Sequence, residues 1–330
     1  MRKYFGEGGL ELYSSGANVI SPSMMMVQKG EDGYQSNLRE LAEGCNIYLI
    51  CSRSRISFDF SKFKVVNNKI YGTALIQNGE EYERYSFIRN FKESDGEILH
   101  FEELGYPDNH VKIYYSTGKT EVFTSYTFLH QEFCEIDFED NDELEVLYVG
   151  QAFGRTGKRI AIDRLSTHKT LQRILADANH FYPDREILLL MFRFEHGRNI
   201  VSSQPVSGAE PASTPEEDIE YLNNIMGAKI ARRFRVSLAE ATLIRYFKPK
   251  YNVIYKNTFP SKKHKVLDKL MEVDYSALIV QVDTQNINTK LVSNSLNTPR
   301  FYALSDRVQF AEFPLSSQEE RETFLHKQSL

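Results

Sequence analysis

Five side chains between residues 148 and 240, Tyr148, Lys158, Arg164, His168 and Glu240, have the chemistry to attack an anionic ester. Hydrolysis of a phosphodiester needs an activated water, a counter-charge for the phosphate and help for the leaving oxygen. Arg164 offers a planar, permanently charged fork that matches a phosphate. Tyr148 would take a proton from water once a nearby cation lowers its pKa from about 10, and Lys158 is the candidate cation. His168 would orient groups or relay protons. Glu240 is the kind of single hard carboxylate that holds Mg2+ or Mn2+ among waters. Each residue also has a plainer role. Tyr148 at a strand end could be a packing residue, and Arg164 and His168 a solvated helix face. Glu240 closes Ser237-Leu238-Ala239-Glu240, a capping-box pattern in which it would only satisfy the Ser237 N–H.

The pattern around these residues predicts the elements that position them. Strand-like "EFCEIDF", an acidic turn and a second strand, "LEVLYVG", lead into the basic, glycine-rich "QAFGRTGKR". That loop is no nucleotide P-loop, because the G-x-x-x-x-G-K spacing is absent and Arg159 stands where Ser or Thr would hold Mg2+. A helix is predicted through "IAIDRLSTHKTLQRILADANHF", with Ile162, Leu165, Leu171, Ile174 and Leu175 as its apolar stripe. "REILLLMFRFE" reads as a buried strand, and 202–215 as a Ser/Pro/Gly/Ala loop. Helices around 215–232 and 237–247 follow, the second ended by Lys248-Pro249. Earlier, Asn46–Cys51, Lys69–Ile76, Tyr82–Ile88, Val111–Tyr115 and Glu121–Phe128 read as strands, with Asn78-Gly79 as a hairpin turn. The expected organisation is a β-rich sandwich or barrel over 1–130, an α+β unit over 131–257, and a C-terminal extension over 258–330 that packs back on the first unit.

The middle unit resembles the GIY-YIG nuclease family, a small mixed sheet flanked by helices. Tyr148-Val149-Gly150 is similar to the second signature, with Val for Ile. Arg164 matches the arginine of the first helix and His168 the histidine one turn later, a spacing that would put both on one helix face. Glu240 matches the metal-binding glutamate, and Asn252 in "KPKYN" the asparagine that follows it. Two features depart from the pattern. The first signature is expected at 135–137, where Glu-Ile-Asp puts Asp137 in place of its tyrosine. The interval from Tyr148 to Arg164 is also longer than in compact members, and it contains Arg155, Lys158 and Arg159. The resemblance implies a metal-dependent endonuclease acting on double-stranded DNA, in a restriction or anti-phage setting, working as a homodimer or higher oligomer. The alternatives are a catalytically impaired nuclease fold that only binds nucleic acid, and a sensor whose N-terminal domain, through a protein or ligand partner, controls the nuclease.

Charge is distributed as that reading requires. The 330-residue chain has a net charge of −5. Residues 1–145 carry 14 Lys and Arg against 25 Asp and Glu, residues 146–265 carry 20 against 11, and residues 266–330 carry 6 against 9. A basic middle between acidic flanks suits a phosphate-binding module in a non-binding scaffold, although a solvated basic face would look the same. Arg155, Lys158, Arg159, Arg232, Arg233 and Arg235 are the expected phosphate contacts. The three cysteines are too few and too unevenly spaced for a disulfide framework or a zinc site, so they read as small apolar fillers in a reducing compartment. No secretory h-region opens the chain, and the longest apolar run, Ile187 to Phe192, is far short of the ~18 residues of a membrane span. A cytoplasmic location with no membrane partner is expected.

Overall fold

The structure, a computed structural model, describes residues 4–25, 40–106, 108–130, 133–138, 143–152, 164–165, 168–194, 196–202, 213–253, 256, 270–294 and 307–315. Its strands are β1 (Glu7–Tyr13), β2 (Ala17–Ile20), β3 (Ile47–Ser54), β4 (Ile56–Phe58), β5 (Lys64–Val66), β6 (Lys69–Asn78), β7 (Glu81–Asn90), β8 (Ile98–Glu103), β9 (His110–Tyr115), β10 (Thr120–Thr124), β11 (Cys134–Ile136), β12 (Glu143–Gln151), β13 (Arg185–Phe192), β14 (His196–Ser202), β15 (Ala277–Asp283), β16 (Lys290–Val292) and β17 (Val308–Pro314). Its longer helices are α1 (Ser125–Leu129), α2 (Lys169–Phe181), α3 (Pro215–Gly227) and α4 (Arg232–Phe247). The architecture is mixed α+β.

The central sheet has the order β16-β12-β3-β13-β2, with β3 antiparallel to both β12 and β13. β3 and β13 read as nearly unbroken apolar runs because both of their faces are covered. Pleat alternation divides their side chains between two cores. Ile47, Leu49, Leu188, Leu190 and Phe192 join α4 on one side, whereas Tyr48, Ile50, Leu189 and Met191 meet Leu171 and Ile174 of α2 on the other. Helix α4 is apolar over most of its circumference, as a helix buried on several sides must be. It lies between the central sheet and a second sheet of order β14-β1-β15-β17, with Leu10, Leu278, Val280 and Ala311 in the shared core.

Between β3 and β12 the chain builds a separate β unit, with sheets of order β11-β7-β6-β4 (β5 also pairing with β6) and β10-β9-β8. Its core, which includes Phe58, Phe63, Phe87, Ile113 and Phe128, is drawn entirely from residues between 56 and 138. Gly72 is needed there, since a Cβ would come within 2.4 Å of the Phe87 ring and 2.8 Å of Phe63.

This grouping corrects the division expected from sequence. The β-rich unit is an insertion into the central sheet rather than an N-terminal domain over 1–130. The boundary at 130/131 would separate β3 from β12, its hydrogen-bonded neighbour. The C-terminal strands join the two sheets outside the inserted unit: β15 runs parallel to β1 within 1–130, β17 pairs with β15, and β16 pairs with β12.

Two helix boundaries differ as well. The helix expected through 160–181 does not run through His168, which has extended backbone (φ −86°, ψ 108°) and caps α2 by accepting the Leu171 N–H on Nδ1 at 3.3 Å. Arg164 and His168 therefore do not share the face of one continuous helix. Helix α4 starts at Arg232, not near 237, so Ser237 lies inside it and the capping box does not form. Of the predicted stripe, Leu165, Leu171 and Ile174 are buried and Leu175 is half-buried. Ile162 lies outside the described residues. Among the described residues no helix is long and apolar enough to cross a membrane.

Candidate active site

One end of the β3/β12 pair collects the polar groups. The register between the two strands shifts between Val146 and Tyr148, so Leu147 is an extra residue in β12. Leu144 and Val146 face the α4 core. Unbroken alternation would send Tyr148 there too, and the bulge reverses the alternation so that Tyr148 packs with α2. There it meets Tyr48, with ring centroids 6.2 Å apart and planes inclined by 27°. Gly150 sits directly opposite Tyr48 in the ladder. A Cβ at position 150 would fall 2.6 Å from the Tyr48 ring and hydroxyl and 2.8 Å from Tyr148. Only glycine leaves room for both phenols, which is the physical content of Tyr148-Val149-Gly150.

His168 closes the group, 5.0 Å from the Tyr148 ring and edge-on to Tyr48 at 5.9 Å. Burial, and then the charge of Arg164, lower its pKa. The neutral ring, with Nδ1 accepting from Leu171, carries its proton on Nε2. Arg164, itself exposed, donates to the Tyr48 hydroxyl and acts electrostatically on Glu240. Burial raises the pKa of Tyr48. The neighbouring Tyr148 and the Glu240 charge raise it further, while Arg164 opposes them. Glu240 reaches the same place from α4. Its buried carboxyl is pushed up to about 7 by desolvation, against the pull of the Gln151 N–H that it accepts and of Arg164. Ser237, the other half of the expected capping box, instead donates to the Gln151 side chain at 3.4 Å.

Asn252 is buried, and its amide is engaged with backbone. It accepts from the Val149 N–H at 2.9 Å and donates to the Val149 carbonyl at 2.8 Å. The adjacent Tyr251 N–H donates to the Leu147 carbonyl at 3.1 Å. Segment 251–252 thus satisfies the side of β12 that lies beyond its short pairing with β16.

The structure corrects the expected tyrosine pair. Glu135-Ile136-Asp137 is not beside β12, because β11 pairs with β7 in the inserted unit and Asp137 lines a cleft there. The strand beside β12 is β3, and the residue facing Tyr148 is Tyr48 of Asn46-Ile47-Tyr48. A search close before Tyr148 misses it. The available signal was a tyrosine at the head of the apolar run "NIYLIC".

The expected phosphate contacts divide. Arg155, Lys158 and Arg159 lie outside the described residues. Arg233 is exposed, whereas Arg232 and Arg235 are half-buried, and Arg235 lines a cleft of about 370 Å3 with Leu10, Gly197 and Asn199. Among the described residues no group of three or more His, Cys, Asp and Glu side chains could hold a metal. The donor set nevertheless fits Mg2+ or Mn2+. Such ions take one or two carboxylates and complete their shell with waters and substrate oxygens. Glu240 is a buried carboxylate whose ionised form is penalised where it stands, and a cation would relieve that. Compared with known proteins, the chain matches no family model, no curated protein and no solved structure.

Proposed function

We propose that the protein is a metal-dependent endonuclease of the GIY-YIG type that hydrolyses DNA phosphodiesters. The observation that carries this is the convergence of Tyr48, Tyr148, Arg164, His168 and Glu240 at one end of a sheet, delivered by separate segments of the chain. On this reading Asn46-Ile47-Tyr48 serves as the first signature and Tyr148-Val149-Gly150 as the second, with the β unit inserted between them. A catalytically impaired binder is the alternative that Asp137 in place of tyrosine suggests, and Tyr48 packed on Tyr148 supports the active reading over it.

Each residue has a task. The Arg164 guanidinium binds the scissile phosphate and meets the charge that builds on it. Tyr148 Oη, as a phenolate that a nearby cation would stabilise, accepts the proton of the attacking water and becomes the phenol, with its ring fixed by His168 and Tyr48. Tyr48, held protonated by burial, donates or orients through its hydroxyl. His168 offers an Nε2–H to an oxygen in the site. A divalent cation on Glu240 would neutralise phosphate charge and assist the leaving oxygen. The inserted β unit, which has a core of its own, would select the target or receive a regulatory partner. Cutting both strands would take two copies or two engagements of one site.

The test is conversion of supercoiled plasmid with Mg2+, with Mn2+ and in EDTA, by the wild type and Glu240→Gln. Cleavage by the wild type with metal alone is expected. Equal cutting by Glu240→Gln, or cutting in EDTA, would overturn the proposal.

A further inference from the structure

The exposed face of α2 leads away from the candidate site into a cluster of aromatic and basic side chains. The helix starts beside His168, which touches both tyrosines, and ends ~20 Å further on at Phe181, at 1.5 Å per residue. Lys169 and Arg173 are exposed and lie one turn apart on the same face. At the far end Phe181 and Tyr182 are 63% and 48% exposed. Their ring centroids are 6.4 Å apart. The Lys250 ammonium lies 5.7 Å from the Tyr182 ring and 5.3 Å from the Tyr251 ring, so it stands between the two. Arg173, whose side chain is 75% exposed, places its guanidinium 5.8 Å from the same Tyr251 ring. Among the neighbouring carboxylates Asp184 accepts the Gly79 N–H at 3.0 Å, and Asp177 is also occupied. It accepts from the Tyr251 hydroxyl at 2.7 Å and pairs with Arg173 at 3.8 Å. Tyr251 is itself fixed to β12 through the Leu147 carbonyl, one residue from Tyr148.

Two exposed rings, Phe181 and Tyr182, interleaved with cations match one ligand chemistry well, that of a nucleic acid strand with unpaired bases. The π-face of a base stacks on a ring, and its phosphate meets Lys or Arg. A duplex hides its base faces and would use the cations alone. We propose that Arg173, Phe181, Tyr182, Lys250 and Tyr251 form a stacking platform for a single-stranded segment of the substrate. The preferred target is then DNA with an unpaired stretch beside the cut, such as a flap, a frayed end or a bubble. This deepens the nuclease proposal and rests on it for the substrate class. The strip can still be tested without turnover.

The experiment is fluorescence anisotropy in EDTA, so that no cutting intervenes. The probes are a labelled oligothymidylate, an oligouridylate of equal length, and a strand of equal length and charge with abasic sites. The wild type should bind a base-bearing strand at least roughly 5-fold more tightly than the abasic strand. Replacing both exposed rings (Phe181→Ala with Tyr182→Ala) should weaken base-bearing strands by roughly 10-fold or more and bring them level with the abasic one. An unchanged melting temperature would show that the variant is folded. The thymidylate and uridylate arms identify which kind of strand the platform takes. Equal wild-type affinity for base-bearing and abasic strands overturns the proposal. So does a folded double variant that binds oligothymidylate and oligouridylate as the wild type does. Plasmid assays report separately on the nuclease proposal. Strand binding without cutting would sink that proposal and leave the platform standing, and cutting without base-dependent binding would do the reverse.

Discussion

The Asn252 side chain holds the Val149 backbone from both sides, taking its N–H at 2.9 Å and giving a hydrogen to its carbonyl at 2.8 Å. The middle residue of Tyr148-Val149-Gly150 is thereby fixed by a buried side chain whose amide oxygen and nitrogen are both engaged with backbone. Asn252 is better described as a positioning residue than as a catalytic one. Asn252→Ala should cost about 1–3 kcal/mol in denaturant unfolding, because a buried N–H and carbonyl lose partners. Asn252→Asp should cost more, since a carboxylate cannot donate to the carbonyl. In both variants cleavage should slow while KM for DNA stays near the wild-type value. A fall in affinity with the rate intact would instead put Asn252 in contact with substrate.

Gly150 makes a sharper prediction, because the obstacle is geometric. An alanine Cβ would stand 2.6 Å from Tyr48 and 2.8 Å from Tyr148. One or both phenols must move, and overpacking of this size typically costs about 1–3 kcal/mol. The fold should survive while the cleavage rate falls by ~10²-fold, as for other small displacements of reacting groups. The check is a melting curve beside a cleavage time course. Wild-type turnover in a folded Gly150→Ala protein would mean that the two tyrosines need not sit close.

Local pattern in the sequence carried the elements but not their pairing. "REILLLMF" announces β13 by its apolar run, Asn78-Gly79 marks the β6/β7 turn, and Lys248-Pro249 ends α4. Which strand lies beside β12 could not be read that way, because pairing is a long-range choice between strands of similar composition. The chain between β3 and β12 forms a unit with its own core, so Tyr48 reaches Tyr148 across a gap that no short signature spans. The bulge at Leu147 is equally hidden, since it shows only as a break in register. Ser237-x-x-Glu240 misled for a related reason. The motif describes a helix start, and burial of Val236 and Leu238 lets α4 begin earlier, at Arg232.

If the five-residue convergence is a nuclease site, its members should fail in different ways. Arg164→Ala should lower the cleavage rate by ~10²-fold or more through lost stabilisation of developing charge. Tyr148→Phe should cost ~10²-fold through the lost proton acceptor. Tyr48→Phe should cost less than Tyr148→Phe, because burial keeps the Tyr48 hydroxyl protonated and suits it to orienting rather than accepting. Single-turnover kinetics at saturating enzyme separates these rates from binding. A Tyr48→Phe defect larger than that of Tyr148→Phe would exchange the two roles.

A buried network at the other end of β3 predicts how stability responds to pH. Arg53 lies 2.6 Å from His130 Nε2 and 3.6 Å from the Glu186 carboxylate. Burial, and then Arg53, hold the His130 imidazole well below its ordinary 6.5. Folding therefore excludes a proton that the unfolded chain binds, so His130 contributes stability above pH 6.5 that is lost as pH falls below it. Glu186 works in the opposite direction. Desolvation raises its carboxyl from 4.5 to about 7 against Arg53 and Arg55, so the folded protein holds a proton that the unfolded chain has released. Its contribution is present below 4.5 and lost as pH rises through about 7. Glu240, also raised to about 7, adds to that second trend. Each group acts with a slope of at most ~1.4 kcal/mol per pH unit, so two carboxyls against one imidazole leave this set with a net gain of stability of roughly one such slope as pH falls from about 6.5 to about 5. Two variants separate them. Relative to the wild type, Glu186→Gln should lose up to ~1.4 kcal/mol of stability per unit as pH falls through this range, because only Glu240 then opposes His130. His130→Gln keeps an acceptor for Arg53 and should gain stability more steeply than the wild type as pH falls from about 7. Urea unfolding midpoints measured across the range would decide it, and parallel profiles for both variants and the wild type would show that the network does not titrate with folding.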